Sequence, residues 1–386
     1  MILSKVTLTD FRGYASVEAD LGGSLTVLTG DNAQGKTNFL RAVELLGLGE
    51  AREYSGGPLV RFGAEEALVE GESEGEGVHE RLAISVSKGR GGAKLALNGK
   101  RVQRPRWVGH LPVLFTGPED RDQVTGPPSA RRALLDELLE QCEPAYLRAL
   151  KEYRRALRQR NHSLENPEAT DAEVEIWEEP MAEHGGILVH HRLRVLSALS
   201  PRAGAWYRQL AGEAGELGLA YRGTVVAPDA ASVPVCAGAL RDAWAANRER
   251  DKAMGTTSVG PHRDEVDISL GGRALKGTGS SGEIWTAVLS LSLASAEYLG
   301  ERLGHLPLLL LDDVLTWLDP ARAARVLAVL SGMPQAILTT TRLPDGVPAR
   351  TVYEVSGHTI THAGSGDSAS GKGETWGKNP SPSARC

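Results

Sequence analysis

Alternation of apolar and polar residues predicts β-strands towards both ends of the chain. Residues 2–9 alternate as a strand does, with a turn at 11–14, and residues 67–87 read as two strands joined by a glycine-rich turn at 71–77. The hairpin signal over 94–102 is strong, because Asn98-Gly99 suits a type I′ turn. Further strands are predicted at residues 25–29, 111–115, 264–270, 306–311 and 335–340.

The middle of the chain changes to a helical spacing of apolar residues at Ser129. Pro144 is expected to divide the first stretch, and Pro180 and Gly185-Gly186 to interrupt the second. Helices are predicted at residues 129–160, 172–199, 238–252, 281–303 and 320–330.

Strands and helices mixed at both ends, with helices alone between them, predict an α/β protein with a compact α-helical insertion. The final segment is rich in Gly, Ser, Pro and Lys, which is typical of disorder. We expect an N-terminal lobe at 1–128, an inserted helical domain at 129–254, a C-terminal lobe at 255–357 and a disordered tail at 358–386.

The composition is that of an ordinary globular protein. The 386 residues are 41% hydrophobic and 24% charged, and we find neither a membrane-length apolar run nor a signal-peptide pattern. Cys142, Cys236 and Cys386 lie far apart, which argues against a zinc site or a disulfide framework and favours a reducing cytoplasm. Because the net charge is −6, binding to nucleic acid would need a local basic patch.

The spacing G-x-x-x-x-G-K-[ST] over residues 30–37 is that of a phosphate-binding loop. Backbone N–H groups and the following helix N-terminus would hold phosphates, while Lys36 reaches the β- and γ-phosphates and Thr37 ligates Mg²⁺. A glycine-rich turn with a chance lysine is the alternative, but a strand before and an apolar helix after favour nucleotide binding. The expected ATP-binding residues are Gly30, Asp31, Asn32, Ala33, Gln34, Gly35, Lys36, Thr37 and Asn38.

Two acids follow four leucines at residues 308–311, as expected for a strand buried on both faces that ends at a ligand site. Asp312 is predicted to hold Mg²⁺, and Asp313 to orient or deprotonate the attacking water. The alternative is a core strand with a polar end. Ser280 and Glu283 form a capping box, which explains a well-capped helix and also exposes N–H donors for a second anion site.

The order of these motifs resembles that of ABC-type ATPases, and the helical insertion resembles the SMC and DNA-repair branch. Several further segments are similar to the RecF family and together span roughly residues 1 to 345. These segments are Asn98-Gly99-Lys100-Arg101, residues 115–120, residues 126–132, residues 247–251 and Gly260-Pro261-His262-Arg263-Asp264.

The resemblance implies an SMC-like ATPase head that dimerises on ATP and binds double-stranded DNA at gaps or single-/double-strand junctions. It also implies a bacterial, nucleoid-associated mediator that acts with RecO and RecR to place RecA on DNA. Ser280, Gly282 and Glu283 would then serve the ATP held by the partner copy, and Asp319 would lie across the dimer seam. Arg12 is expected to touch the nucleotide.

Three positions depart from the family pattern. Ala33 stands where a glycine is common, which we expect to be harmless if its φ is negative. Asp313 replaces the usual glutamate, so slow hydrolysis is predicted. The segment Thr339-Thr340-Thr341 stands where a switch histidine is usual, and it supplies hydroxyls but no titratable base.

Basic residues cluster in two places on this acidic chain. Arg106 completes one cluster beside Trp107, and residues 148–160 continue the other along a helix, where a solvated helix face is the alternative explanation. Contacts would be to backbone phosphates, since no base-reading module is present. The expected DNA-binding residues are Lys100, Arg101, Arg104, Arg131 and Arg132.

Two other functions share parts of this pattern. The energy-coupling subunit of a membrane transporter has the same motif order, but the large insertion and the missing switch histidine argue against it. A scaffold that keeps the nucleotide only for structure is the second alternative.

Overall fold

The computed structural model describes residues 1–51, 58–75, 77–89, 92–166, 168–212, 215–225, 232–343, 347 and 351–364. Its strands are β1 (Ile2–Phe11), β2 (Tyr14–Asp20), β3 (Ser24–Thr29), β4 (Glu66–Gly75), β5 (Val78–Ser87), β6 (Lys94–Leu97), β7 (Lys100–Val102), β8 (Val113–Thr116), β9 (Leu217–Arg222), β10 (Glu265–Leu270), β11 (Arg273–Ala274), β12 (Leu308–Asp312), β13 (Gln335–Thr340), β14 (Thr351–Ser356) and β15 (Thr359–Gly364). Its α-helices are α1 (Lys36–Leu48), α2 (Arg104–Trp107), α3 (Asp122–Thr125), α4 (Pro128–Cys142), α5 (Pro144–Leu164), α6 (Asp171–Glu175), α7 (Glu178–Ala211), α8 (Val233–Met254), α9 (Ser281–Leu303) and α10 (Pro320–Ser331). Short 3-10 helices cover Pro118–Arg121 and Val314–Trp317.

A central six-stranded sheet has the order β15-β14-β3-β13-β12-β8. Its strands are parallel except for β15, which pairs antiparallel with β14. The carboxyl ends of β3, β12 and β13 therefore meet at one edge, where ligands bind in open α/β sheets.

The leucine strand β12 contributes alternately to two hydrophobic cores. Leu308 and Leu310 pack with α1 and the N-terminal strands, whereas Leu309 and Leu311 pack with α9 and the helical segment. This two-sided burial is the reason for the continuous run of leucines in the sequence.

A second sheet, antiparallel throughout, has the order β2-β1-β4-β5-β6-β7 and covers α1. The predicted Asn98-Gly99 hairpin is confirmed between β6 and β7, with φ of 50° and 75° at the two residues. Gly71, predicted to begin a turn, lies inside β4 opposite Leu82, so the strand runs on to Gly75.

Helices α4 to α8 form the middle of the chain, as predicted, and Pro144 divides α4 from α5. Strand β9 lies within this stretch and pairs with β10 over six positions in a three-stranded sheet with β11. The sheet therefore crosses the predicted boundary at 254, and the division into lobes stays a prediction.

Helix α7 is longer than predicted, and the expected interruptions are wrong. Pro180 lies in its first turn, where a backbone N–H has no intrahelical partner to lose. Gly185 and Gly186 allow close packing, since a Cβ on them would come within 2.9 Å of Leu240 Cδ1 and 2.8 Å of the Val233 carbonyl oxygen. Within the described segments, no helix is long and apolar enough to cross a membrane.

The expected start of the disordered tail at 358 is also wrong. Strand β15 continues to Gly364 and pairs with β14, which lies beside β3 in the central sheet. The rest of the predicted tail, residues 365–386, lies outside the described residues.

Candidate nucleotide-binding site

The predicted phosphate-binding loop joins β3 to α1 at the edge of the central sheet. Its two glycines have positive φ, 141° at Gly30 and 116° at Gly35, which favours glycine. Gly35 is the N-cap of α1 and no side chain caps the helix, so its first N–H groups are available to an anion.

Close neighbours also require glycine at both positions. A Cβ on Gly30 would lie 2.2 Å from the carbonyl oxygen of Val355, which belongs to the backbone of β14. A Cβ on Gly35 would lie 2.9 Å from Tyr14 Oη, and that hydroxyl donates to the Gly35 carbonyl at 3.0 Å. The loop is therefore packed between β14 and the start of β2.

Ala33 has a φ of 62°, so the negative φ that would have made this alanine harmless is not present. The left-handed region costs an L-residue roughly 1–2 kcal/mol, because Cβ approaches the following carbonyl oxygen. A glycine would avoid that cost, so the departure at position 33 strains the loop.

Lys36 points back into the loop from the first turn of α1. Its Nζ donates to the carbonyl oxygens of Gly30 at 2.6 Å and Asp31 at 2.8 Å. Burial lowers the pKa of Lys36, and the nearby carboxylates of Asp313 and Asp312 oppose that shift. The ammonium group thus lies among the loop carbonyls on the side that faces both acids.

Asp312 connects the end of β12 to both neighbouring elements. Its Oδ2 accepts from Thr37 Oγ1 at 2.8 Å, and its Oδ1 accepts from Thr339 Oγ1 at 2.7 Å. The structure therefore brings together the two predicted Mg²⁺ ligands, Thr37 and Asp312, as a hydroxyl and a carboxylate, which are hard oxygen donors that suit Mg²⁺. Among the described residues, no group of three or more His, Cys, Asp or Glu is placed to hold a metal.

Asp313 adopts a left-handed backbone with φ of 52° immediately after β12. Its N–H donates to Thr339 Oγ1 at 3.0 Å, and its Oδ1 accepts from Thr316 Oγ1 at 2.8 Å. Thr339 thus fixes both acids through one hydroxyl, a role that its position at the end of β13 could have indicated.

Arg12 lies beside the start of α1 in the turn between β1 and β2. Its Nη1 donates to Asn38 Oδ1 at 3.0 Å, so two predicted nucleotide contacts lie together. Burial lowers the pKa of the Arg12 guanidinium, and the positive charge of Arg41 adds to the shift. An anion next to Arg12 would relieve both effects.

The β14–β15 turn is a part of the site that the sequence analysis missed. Gly357 N donates to Gln34 Oε1 at 2.7 Å, and His358 N donates to the Gln34 carbonyl at 3.1 Å. A cavity of about 690 Å³ opens here, lined by Gly30, Asp31 and Gln34 on one side and by β14 and Arg342 on the other. Alternation over 351–356 was the signal that could have revealed β14.

The remaining predicted residues lie at the starts of α9 and α10. Ser280 is the N-cap of α9 and forms the expected capping box with Glu283, whose carboxylate accepts from Ser280 N at 2.7 Å. Asp319 is the N-cap of α10 and accepts from Ala321 N and Arg322 N.

A separate cavity of about 440 Å³ lies beside this second group, lined by Ser280, Glu283 and Arg322 among others. It shares no described lining residue with the cavity at the phosphate-binding loop. Within the described chain, the two groups of predicted residues thus lie beside two separate cavities of one copy.

The predicted DNA-binding residues differ in solvent exposure and in ion pairing. Lys100 and Arg101 are exposed on the β6–β7 hairpin. Arg104 pairs with Glu140 at 2.6 Å and with Glu50 at 3.0 Å. The hairpin therefore offers two solvent-facing cations, and Arg104 is held inside an ion-pair group.

Arg131 and Arg132 are held by the segment that leads into β10. Arg131 is 4% exposed and makes a two-point contact with Glu265 at 2.6 and 2.8 Å. Arg132 donates to the Asp264 carbonyl at 2.7 Å. Both side chains make internal contacts, whereas Lys100 and Arg101 face solvent. DNA binding by Arg104, Arg131 and Arg132 stays a prediction.

Helix α5 carries both buried and exposed basic residues. Arg160 is fully buried and pairs with Asp251 at 2.8 Å and Glu178 at 2.9 Å, so it does not belong to a solvated cluster. Five others are exposed, and one of them, Arg154, pairs with Asp136 at 3.2 Å. The other four recur at spacings of three and four on one helix face: Arg148, Lys151, Arg155 and Arg158.

Curated proteins of similar sequence are RecF proteins. A scan against models of protein families matched none of them. The chain is 38% identical over 350 residues to the DNA replication and repair protein RecF of Synechococcus sp. (strain JA-3-3Ab), covering 89% of this chain and 92% of that one. It is 33% identical over 371 residues to RecF of Geobacillus kaustophilus (strain HTA426), covering 95% and 99%.

Solved structures agree with these relatives. The fold matches the recombination mediator protein RecF-ATPrS of the RecFOR pathway with a TM-score of 0.85 and 25% identity, over 94% of this chain and 98% of that chain. The RecF-ATP structure of the same pathway gives 0.83 and 25%, over 94% and 99%. An Smc head bound to the C-winged helix domain of ScpA gives 0.56 at 16% identity over 94% and 98%, which shows the shared ABC-type head fold.

Proposed function

This chain belongs to the RecF family of DNA replication and repair proteins, and on that premise we propose that it is an ATP-dependent recombination mediator that acts as a dimer. One observation carries the proposal: the phosphate-binding loop and Ser280 line two separate cavities of one copy, with no described residue in common. Two copies that face each other would complete two sites, each with ATP between them. The triphosphate then acts as the bridge.

Each residue has a proposed part in that site. The N–H groups of residues 30–38 and Lys36 bind the phosphates, with Arg12 beside them. Thr37 and Asp312 would hold Mg²⁺, which neutralises charge on the phosphate oxygens when it is bound. Ser280, Gly282 and Glu283 of the second copy close over the γ-phosphate, and Asp319 lies at the seam.

Hydrolysis would use a water that Asp313 orients. The water oxygen bonds to the γ-phosphorus, the bond to the β,γ-bridging oxygen breaks, and the water proton passes to Asp313 or to solvent. The short side chain of Asp313, whose Oδ1 is already bonded to Thr316, supports slow turnover. Slow turnover would keep the dimer closed on DNA long enough to act.

Exposed cations support binding to duplex DNA. The β6–β7 hairpin presents Lys100 and Arg101, and α5 presents the basic row at 148–158. Contacts to phosphates would be insensitive to sequence and weakened by salt. The RecFOR pathway named for the two RecF structures supports RecO and RecR as partners, with RecA as the protein that is loaded at gaps or junctions.

The test of the dimer is the mass of the chain with and without ATP, by light scattering. We expect ATP to convert a monomer into a dimer, and Ser280→Arg to abolish this change in mass. Lys36→Arg should keep nucleotide binding but stop turnover, so that the dimer stays trapped on DNA. A Ser280→Arg chain that dimerises normally contradicts the shared site.

The test of the DNA surface is the salt dependence of duplex binding. Lys100→Ala and Arg101→Ala should each reduce the slope of log affinity against log salt by about 1. Arg241→Ala is the matched control and should leave the slope unchanged. It removes an exposed arginine of α8 that pairs with Glu179 of α7.

A further inference from the structure

Two contacts join the turn that carries Asp319 to the first turns of α9. In the first, the indole of Trp317 stacks on that of Trp285, with ring centroids 5.7 Å apart and 11° between the planes. Trp285 is 1% exposed and lies on the second turn of α9, whose N-cap is Ser280. Trp317 is 45% exposed and ends the 3-10 helix that leads to Asp319.

The second contact runs through one nitrogen of Arg322. Its Nη1 is 3.2 Å from Asp319 Oδ2. The same Nη1 lies 2.7 Å from where a Cβ on Gly282 would be, so the guanidinium rests against the glycine backbone. The Arg322 side chain thus pairs with Asp319 and packs against Gly282.

From these contacts we infer that Trp317 and Arg322 are positioning residues that lock the Ser280–Gly282 helix start and the Asp319 turn into one rigid unit. This inference rests on the proposed function, because the unit matters only if a second copy meets both parts together. The groups that reach a partner's nucleotide would then arrive already aligned, and no ordering would be needed at closure.

The position of Trp317 supports this role over that of an ordinary core residue. Almost half of its surface faces solvent, so its burial contributes less to folding than that of Trp285. Its stacked face is nevertheless nearly parallel to the buried indole, which is a directional contact. The same short 3-10 helix carries Thr316, which is bonded to Asp313, so the unit also touches the hydrolytic end of the site.

Replacement of the exposed indole tests the inference. Trp317→Ala should weaken ATP-dependent dimerisation about 3- to 10-fold, the effect of losing one aromatic pair, and lower turnover in parallel. The affinity of a dilute, monomeric chain for ATP should not change, because the phosphate-binding loop is untouched. Ile176→Ala is the control, because Ile176 is also an exposed apolar residue but lies between α6 and α7. It should change neither dimerisation nor turnover.

Trp317→Phe is the conservative variant and guards against simple misfolding. It should restore dimerisation to within about twofold of the wild type, since a phenyl ring still stacks. It should also remove the far-ultraviolet circular dichroism couplet that two stacked indoles produce, which confirms that the pair exists in solution. Arg322→Ala should weaken dimerisation in the same direction by releasing Asp319.

The outcomes separate the inference from the function beneath it. If the wild type dimerises with ATP and Trp317→Ala dimerises equally well, the positioning role is wrong and the shared site stands. If the wild type stays monomeric with ATP and duplex DNA, the proposed function fails first.

Discussion

Four residues at the nucleotide-binding site hold backbone angles that L-amino acids rarely adopt. The φ values are 50° at Arg12, 62° at Ala33, 52° at Asp313 and 60° at His358. Such conformations cost of order 1–3 kcal/mol each and persist where the surroundings impose them, which is typical of functional sites. The motif predicted which residues gather here, but their backbone conformations depend on tertiary contacts that no local propensity contains.

Ala33→Gly should relieve one of these strains. We expect the free energy of unfolding to rise by about 0.5–1 kcal/mol, because the gain from a strain-free left-handed residue exceeds the added entropy of the unfolded chain. Urea unfolding measures the change. Ala205→Gly, at an exposed position inside α7, is the control and should lower the free energy of unfolding by about 1 kcal/mol. Loss of stability in both variants would mean that position 33 is not left-handed in solution.

Thr339→Val should damage hydrolysis more than nucleotide binding. The threonine hydroxyl is fully buried, donates to Asp312 and accepts from the Asp313 N–H, so an isosteric valine leaves both buried groups without that partner. A loss of about 1–3 kcal/mol at the two acids corresponds to a fall in turnover of about 5- to 150-fold.

ATP turnover and the dissociation constant for ATP should be measured side by side for this variant. Thr339→Ser keeps the hydroxyl and should recover most of the turnover. Thr9→Val, at an exposed position on β1, should behave as wild type. Equal losses in turnover and in binding would show that Thr339 supports the loop in general.

Elements with strong local signals were predicted with their observed bounds. Helix α9 begins at the capping box and runs to Leu303, and β13 covers Gln335–Thr340, as expected. Errors arose where tertiary contacts reverse a local signal. Gly185 and Gly186 look like breaks but provide close contact with α8, and β15, in a Gly- and Ser-rich stretch, is fixed by pairing with β14.

The Gly-Pro-His-Arg-Asp block, noted in the sequence only as a family landmark, joins α5 and α7 to β10. His262 Nδ1 bonds with Tyr153 Oη at 2.7 Å, and its Nε2 donates to the Thr257 carbonyl at 3.1 Å. Arg192 donates to the Pro261 carbonyl at 2.6 Å. Because the Thr257 carbonyl can only accept, Nε2 carries a proton, and a neutral imidazole then accepts from Tyr153 at Nδ1 and satisfies both contacts.

This junction should weaken in acid. Burial lowers the pKa of His262 from 6.5 to about 4, so the unfolded chain binds the proton more readily than the folded one between those values. The stability contribution is therefore complete above about pH 6.5 and is lost as the pH falls towards 4, by about 3 kcal/mol in total. Unfolding free energies measured across this range should fall accordingly.

His262→Gln isolates this term from other titrations. A glutamine amide can accept from Tyr153 and donate to Thr257 without taking a proton. The variant should show a shallower loss of stability between pH 6.5 and 4 than the wild type. Parallel curves for the two proteins would count against a neutral His262 at the junction.

At the scale of the whole molecule, the central sheet separates two cores and directs the phosphate-binding loop, β12 and β13 to one edge. The α9 start and Arg322 line a separate cavity. Spacing in the sequence predicted both sets of residues, but it could not show that they are apart in one copy. That separation is a consequence of chain topology.

Mixing two inactive variants gives the sharpest test of the composite site. Lys36→Ala disables the phosphate-binding half and Ser280→Arg the opposite half, so each homodimer has no intact site. A mixed dimer pairs the good loop of one chain with the good α9 start of the other, which leaves one intact site. With one of the two sites intact in each mixed dimer, equal mixing should restore roughly a quarter of wild-type turnover if pairing is random, and up to about half if only mixed dimers form with ATP. The steady-state ATPase rate, followed as the mixing ratio is varied, should peak near equal amounts and vanish at both ends. A flat, inactive profile with mixed dimers present by mass would mean that each copy needs its own two halves.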